Sequence, residues 1–194
     1  MALPAYIDAE TGAITAGEAW VALVSTTLGS DTASITFTST DDGQVGDFSQ
    51  YMDLVVITYG RTATAVAQDN IWMRFNGDTT NGNYAGQYLE GNGSAATANT
   101  EAQPIVGILP ANSATANIFG SMVSHLFDVN SGKYKSSVHQ SACDTDGSGY
   151  VWLHAMTWKN QSPITSVQVI SKNAGNLKDG TRIDLFGVLP RMAA

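Results

Sequence analysis

Short runs in which apolar and polar residues alternate recur along the chain, and no segment sustains a 3.6-residue period. Alternation with a period of two is typical of strands that have one buried face, so the pattern predicts an all-β protein. Turn clusters such as Asn76-Gly77-Asp78 separate the runs. The predicted strands cover residues 20–24, 34–38, 51–59, 71–75, 84–89, 104–109, 117–129, 134–140, 150–158, 164–171 and 182–189.

The close spacing of these strands, without a linker between them, predicts one antiparallel β-sandwich with jelly-roll connections over residues 20–194. Residues 1–19 differ, because they are rich in small residues and show no strong period. A terminus of this kind is most often a loose tail. We predict instead an extended N-terminal arm at residues 1–19, with a neighbouring chain as the natural candidate to hold it. On that hypothesis Tyr6 and Ile7 are interface candidates.

The predicted strand at residues 150–158 is apolar on both faces. Its even positions carry large aromatic residues, and its odd positions include Val151 and Leu153. A strand of a two-layer sandwich that is apolar on both sides needs a loop, an arm or another subunit over its outer face. The strand at residues 51–59 has the same pattern. We therefore predict that copies of the chain assemble into a homo-oligomer.

The even positions of the first of these strands place Tyr150, Trp152 and Trp158 on one face. Aromatic side chains two residues apart can stack on sugar rings, as in a lectin-like sandwich. They can equally fill the core or a subunit interface, because each one buries a large apolar area. The core and interface interpretations are favoured over sugar binding, and the three residues are interface candidates.

Charge and cysteine content narrow the function classes. Only 13% of the 194 residues are charged, and the formal net charge is −8, with the basic residues scattered singly. Binding along a phosphate backbone is therefore disfavoured. No apolar run, the one at residues 54–57 included, is long enough to span a membrane, and the first residues lack the basic start of a secretory signal. The single cysteine, Cys143, allows no disulfide within the chain, so we expect a soluble, cytoplasmically made, reduced protein.

Candidate chemistry is sparse. The stretch at residues 144–149 resembles a calcium loop, but aligning its glycine with that of an EF-hand puts Ala142 and Leu153 where two strong ligands belong. A polar hairpin turn is the favoured interpretation, and a weak surface calcium site stays open. The three histidines lack zinc-site spacing, and neither a Gly-x-Ser-x-Gly elbow nor a phosphate loop is present. We predict no enzyme activity, no metal and no cofactor.

Five segments of the chain nevertheless occur in the same order as similar segments of a known protein family. The most distinctive is Arg-Phe-Asn-Gly-Asp-Thr at residues 74–79, and the other segments lie at residues 48–57, 126–135, 158–167 and 176–188. Together they resemble minor structural proteins of tailed bacteriophages that have a jelly-roll domain of the head-decoration or tail-fibre type. Val129 stands where the family usually has an aromatic residue, and residues 137–149 have no clear counterpart. The resemblance implies a virion component without known catalytic residues.

The chain has no heptads and no repeats, and only a short arm precedes Trp20, so a fibre shaft is absent from the pattern. A compact domain with one arm fits a capsid decoration, or cement, protein. On this hypothesis the arm lies across the major capsid protein, the domains associate as trimers, and the protein resides in the virion. The alternative is a tail-fibre, tail-tip or receptor-binding protein that binds host surface glycans.

Overall fold

The computed structural model describes residues 20–40 and 45–189. Two short 3₁₀ turns lie at Phe48–Gln50 and Asn81–Asn83, and the remaining regular structure is β. In chain order the strands are β1 Trp20–Thr27, β2 Ser34–Thr38, β3 Asp53–Gly60, β4 Gln68–Phe75, β5 Tyr84–Gly91, β6 Ala96–Glu101, β7 Ile105–Pro110, β8 Gly120–Phe127, β9 Lys135–Asp144, β10 Gly149–Trp158, β11 Ser166–Ser171 and β12 Arg182–Val188.

The strands form two antiparallel sheets that pack as a sandwich. The larger has eight strands in the order β1-β12-β3-β8-β9-β10-β5-β6, and the smaller has four in the order β2-β11-β4-β7. The predicted antiparallel β-sandwich is thereby confirmed, and jelly-roll connections are consistent with this order but stay a prediction. The predicted arm at residues 1–19 lies outside the described residues.

Alternation along the strands builds the core between the sheets. On β4, for example, Ile71, Met73 and Phe75 point inward and are at most 1% exposed, while the residues between them are half-buried. A second, smaller cluster lies where β7 crosses β9 and β10, and its members are Ile105, Ile108, Cys143 and Trp152. The apolar period read from the sequence is therefore the period of burial.

Three strand predictions are corrected. The strand predicted at residues 117–129 is shorter at both ends, because Asn117 and Asp128 have φ of 64° and 51°, a left-handed conformation that a strand cannot contain. In contrast, β9 continues to Asp144, beyond the predicted end at residue 140. Strand β6 was not predicted at all, since its residues are small or polar and exposed on both sides, which leaves no apolar period to detect.

The distinctive segment at residues 74–79 has a structural role. Asn76 and Gly77 take positive φ in the turn after β4, and the Asn76 side-chain oxygen accepts hydrogen bonds from the backbone of Thr165 and Ser166. The Asp78 carboxylate accepts a 2.8 Å hydrogen bond from the indole nitrogen of Trp158. This turn therefore ties the end of β4 to the ends of β10 and β11.

Candidate functional site

The outer face of the eight-stranded sheet, meaning the side turned away from the smaller sheet, carries the most unusual surface among the described residues. On β10 the odd positions point outward, and Val151 and Leu153 are 66% and 49% exposed. Neighbouring strands add more exposed aliphatic residues. We call the following set the apolar patch: Leu89, Val123, Val138, Val151 and Leu153.

Strand register brings these residues together. Leu153 pairs directly with Leu89 on β5 and with Gln140 on β9, and Gln140 pairs in turn with Val123 on β8. Directly paired side chains on one face of an antiparallel sheet lie about 5 Å apart, so they form one continuous surface. A shallow groove of about 570 Å³ runs over this surface between β5 and β8.

This surface is also almost free of charge. Along β8, β9, β10 and β5 the outward positions hold aliphatic residues, Ala, Gly, Ser, Thr, Gln, one His and one Phe. The only carboxylate among them is Asp144, at the very end of β9. A chain with a net charge of −8 therefore keeps its acids off this face, which makes a large exposed apolar patch here more notable than scattered surface leucines.

The outer side of β3 is partly covered by the chain's own aromatic rings. The Trp20 ring lies 6.0 Å from that of Phe186 and 6.5 Å from that of His125. Val55 pairs with both Phe186 and His125, and it is fully buried. His125 also lies 2.9 Å from a carboxylate oxygen of Asp53. Strand β3 is therefore apolar on both sides, as its sequence indicates, and its outer side is partly closed within the chain.

The aromatic interface candidates of β10 all point the other way, into the sandwich. Trp158 is 1% exposed and belongs to the main core, while Trp152 is 6% exposed and stacks on Tyr88 with 4.5 Å between ring centroids. Tyr150 is half-buried against the same second cluster. These three side chains match the core alternative and form no outward sugar-binding ladder. Tyr6 and Ile7 lie outside the described residues.

The outward residues Val151 and Leu153 were not nominated from the sequence, although the two-faced pattern contains the signal. Both parities of β10 are apolar, and the larger side chains gain more from burial, so the bulkier parity belongs in the core. The smaller aliphatic parity is then left on the surface. Side-chain size is therefore the sequence signal that could have predicted which face of β10 is buried and which is exposed.

Two of the three histidines lie between the sheets. His139 is fully buried, and each ring nitrogen lies 2.8 Å from a serine hydroxyl, Ser124 on one side and Ser137 on the other. His154 lies beside it, 5.8 Å between ring centroids, and both of its nitrogens lack a hydrogen-bond partner. Burial lowers the pKa of His154 to about 4, and burial together with His154 lowers the pKa of His139 well below its usual value. Both rings are therefore neutral at pH 7.

Other candidate chemistry has structural explanations. Cys143 is buried, and burial raises the pKa of its thiol to about 11, so it is not a nucleophile at neutral pH. The Arg74 guanidinium lies 4.6 Å from the ring centroid of Trp72, the stacking that their shared face predicts. The buried Arg61 guanidinium donates to four backbone carbonyls, those of Asn112, Ala114, Thr115 and Ile118.

The predicted calcium-like stretch is a hairpin turn. Gly149 pairs with Asp144 across it, and Asp146 and Gly147 take φ of 66° and 103°, so the turn interpretation is confirmed. Within residues 20–40 and 45–189, no three His, Cys, Asp or Glu side chains come together as a metal site. Over the same ranges there is no helix of the length and apolarity needed to cross a membrane.

Comparison of the chain with protein-family models, with curated proteins and with solved structures gives no match. The resemblance to phage structural proteins therefore stays a prediction from the segments named above. What the geometry itself provides is a β-sandwich whose outer face is apolar over β8, β9, β10 and β5 and carries no carboxylate there except Asp144.

Proposed function

We propose that this protein is a structural component of a tailed-phage virion, and specifically a capsid decoration protein that binds and stabilises the head shell. The observation that carries the proposal is the apolar patch on an acidic, charge-poor chain. Apolar surface of this extent is costly to leave in water, and proteins that keep it use it for assembly. A subunit that works by assembling needs such a face and needs no reactive site.

The placement of the reactive residue types supports a structural role over a catalytic one. His139 and His154 are enclosed between the sheets and Cys143 is buried with a raised pKa, so none of them presents a base or nucleophile to a substrate. Asp78, a carboxylate in the most distinctive segment, is hydrogen-bonded to Trp158 and Asn83. Asp78 is therefore engaged in holding the fold together, as a building block requires.

Decoration of a capsid is favoured over a tail fibre by the organisation of the chain. One sandwich accounts for the described residues, 20–40 and 45–189. The proposal takes residues 1–19 as the arm, predicted from the sequence, that would grip neighbouring shell subunits. Many copies on a shell make individually weak contacts hold. The acids, kept off the apolar patch, would face outward and keep the particles apart in solution.

Immunogold labelling of phage particles from cells that encode this chain tests the proposal. Antibodies against the purified protein should decorate the heads of intact particles. Labelling confined to tails would replace the decoration proposal with the tail alternative, and particles that carry no label at all would contradict both. A matched binding assay uses purified heads: the full chain should co-sediment with them, and a folded chain lacking residues 2–17 should not.

A further inference from the structure

We infer that two copies of this chain pack outer face against outer face, so that the apolar patch of each covers the patch of the other. A two-fold dimer of the purified protein goes beyond the proposed function, with which it shares only the association of copies. It replaces the trimer that the sequence led us to expect.

The area of the outer face supports a second copy of the chain as the partner that covers it. The four neighbouring strands β8, β9, β10 and β5 span roughly 19 Å at about 4.8 Å per strand, and eight residues extend about 27 Å. The product is a footprint of about 520 Å² on each copy, or about 1,040 Å² for two copies. A specific protein interface needs about 1,000 Å² in total, so this face reaches the lower end of the range for one interface.

Charge supports self-association in particular. Two copies that each carry a net charge of −8 repel one another unless they meet on a face without acids. The outward positions of β8, β9, β10 and β5 provide that face, with Asp144 at the margin and the Asp53 carboxylate 2.9 Å from the His125 ring at the other end. A basic partner would instead gain nothing from an uncharged surface.

Shape sets the symmetry. Two sheets pack face to face about 10 Å apart with their strands nearly aligned, so one sheet face covers one other sheet face. When the same surface is used by both partners, the arrangement is a two-fold dimer. Gln140, between Leu153 and Val123, suits this arrangement, because its amide has both donors and an acceptor and can pair with its own symmetry mate.

Molar mass in solution tests the inference with a closely matched pair of variants. Val123 on the outer face is 40% exposed, and Val66 in a loop is 39% exposed. By light scattering after gel filtration, the native chain and Val66→Glu should have about twice the mass of the 20.4 kDa chain. Val123→Glu should be monomeric, with a dissociation constant raised by roughly 100-fold or more, because it buries two like charges.

Covalent trapping gives an independent measurement. Gln140→Cys, at the position that would face its own symmetry mate, should form a disulfide-linked dimer under mild oxidation, and Val66→Cys should not. The background is low because the native Cys143 is 1% exposed and its thiol has a raised pKa of about 11. Circular dichroism of each variant checks that it folds. Equal cross-linking of the two cysteine variants would overturn the inference.

Other occupants of the face give distinct results, each of which overturns the inference. A native chain that is monomeric at all concentrations, or that has three times the chain mass, rules out the two-fold dimer. If removal of residues 2–17 converts a monomer into a dimer, the chain's own N-terminal segment covers the patch. The proposed function is judged separately, since a dimer that fails to bind phage heads contradicts that function and leaves the interface standing.

Discussion

The two faces of β10 are both apolar, yet one is buried in the core and the other is exposed. The inner face holds Trp152, Met156 and Trp158, all at most 6% exposed, and the outer face holds Val151 and Leu153, which are 49% exposed or more. Side-chain size explains the assignment, because burying the larger side chains removes more apolar area from water. In β10 the bulkier face therefore packs the core, and the smaller aliphatic face is left on the surface, where the proposed dimer would bury it.

The largest loss of folding stability is expected from a substitution on the inner face of β10. Trp158→Ala should destabilise the fold by about 3–5 kcal/mol, because it leaves a cavity in the main core and an Asp78 carboxylate without its indole partner. Urea denaturation followed by circular dichroism measures the change. Tyr134→Ala, at a 57% exposed aromatic residue, is the control and should change stability little. Equal losses in the two variants would contradict the assignment of the inner face.

The second-largest loss of folding stability is expected in acid, from protonation of His154 on the inner face of β10. The pKa of His154 is about 4 in the folded chain and near 6.5 when unfolded, so the unfolded chain binds the proton more tightly. The contribution of the neutral His154 ring to the unfolding free energy is therefore fully present above about pH 6.5, and it is lost as the pH decreases toward 4. At about 1.4 kcal/mol per pKa unit the loss approaches roughly 3 kcal/mol. Urea titrations at pH 7 and pH 4.5 measure it.

A substitution isolates the histidine in that pH dependence. His154→Leu removes a buried ring whose nitrogens have no hydrogen-bond partner, so stability at pH 7 should be kept while the acid-induced loss shrinks. His125→Leu is the control, since the His125 ring is partly exposed and paired with Asp53. An undiminished acid response in His154→Leu would assign the effect to other groups, His139 first among them.

The turn after β4 should contribute less to folding stability than the inner face of β10. Asp78→Ala removes the acceptor of the buried Trp158 indole and should cost about 1–3 kcal/mol. Burial alone would raise the pKa of Asp78, but hydrogen bonds from Trp158, Asn83 and Thr80 outweigh it and lower the pKa. This contribution is therefore present above the ordinary carboxyl pKa of 3.8 and is lost as the pH falls through the lowered value.

Thermal denaturation compares Asp78→Ala with Asp179→Ala, an exposed acid in another turn. The first variant should melt several degrees below the native chain, and the second should match it. If both variants melt with the native protein, the hydrogen bond to Trp158 does not stabilise the turn.

The smallest effect is expected from the outer face in dilute solution. Leu153→Ala should change the unfolding free energy of the monomer by less than about 0.5 kcal/mol, because the side chain is half exposed and leaves no cavity. At concentrations where the native chain is dimeric, the same variant should lose the additional stability that association provides. A loss that is large and independent of protein concentration would place Leu153 in the fold rather than in an interface.

Much of the fold could be predicted from local pattern. Strand β2 was predicted with its observed bounds, since Ile35 and Phe37 alternate with polar residues and the strand is buried on one face only. Strand β6 could not be predicted, because its Ala, Thr and Asn residues are exposed on both faces and the strand forms only by pairing with β5. Backbone pairing of this kind leaves no mark on the hydrophobic pattern.

The candidate site could be predicted only in part. The two-faced pattern of β10 already indicated an outer face in need of a cover, but it nominated the aromatic parity that the structure places inward. The continuity of the patch depends on register, which sets Leu89 and Leu153 side by side from segments more than sixty residues apart. Register is a property of pairing between distant strands, so no single strand reveals it.

The sequence by itself determined the β class, most strands, the turns and the shortage of charge, because these follow from local alternation, turn residues and composition. The tertiary structure decided which face of each strand is buried, which residues meet across strands, and that the acids avoid one half of the outer face. Those outcomes depend on the strand order β8-β9-β10-β5, in which segments far apart in the chain share one surface. Local forces select the strands, and only their packing produces the surface.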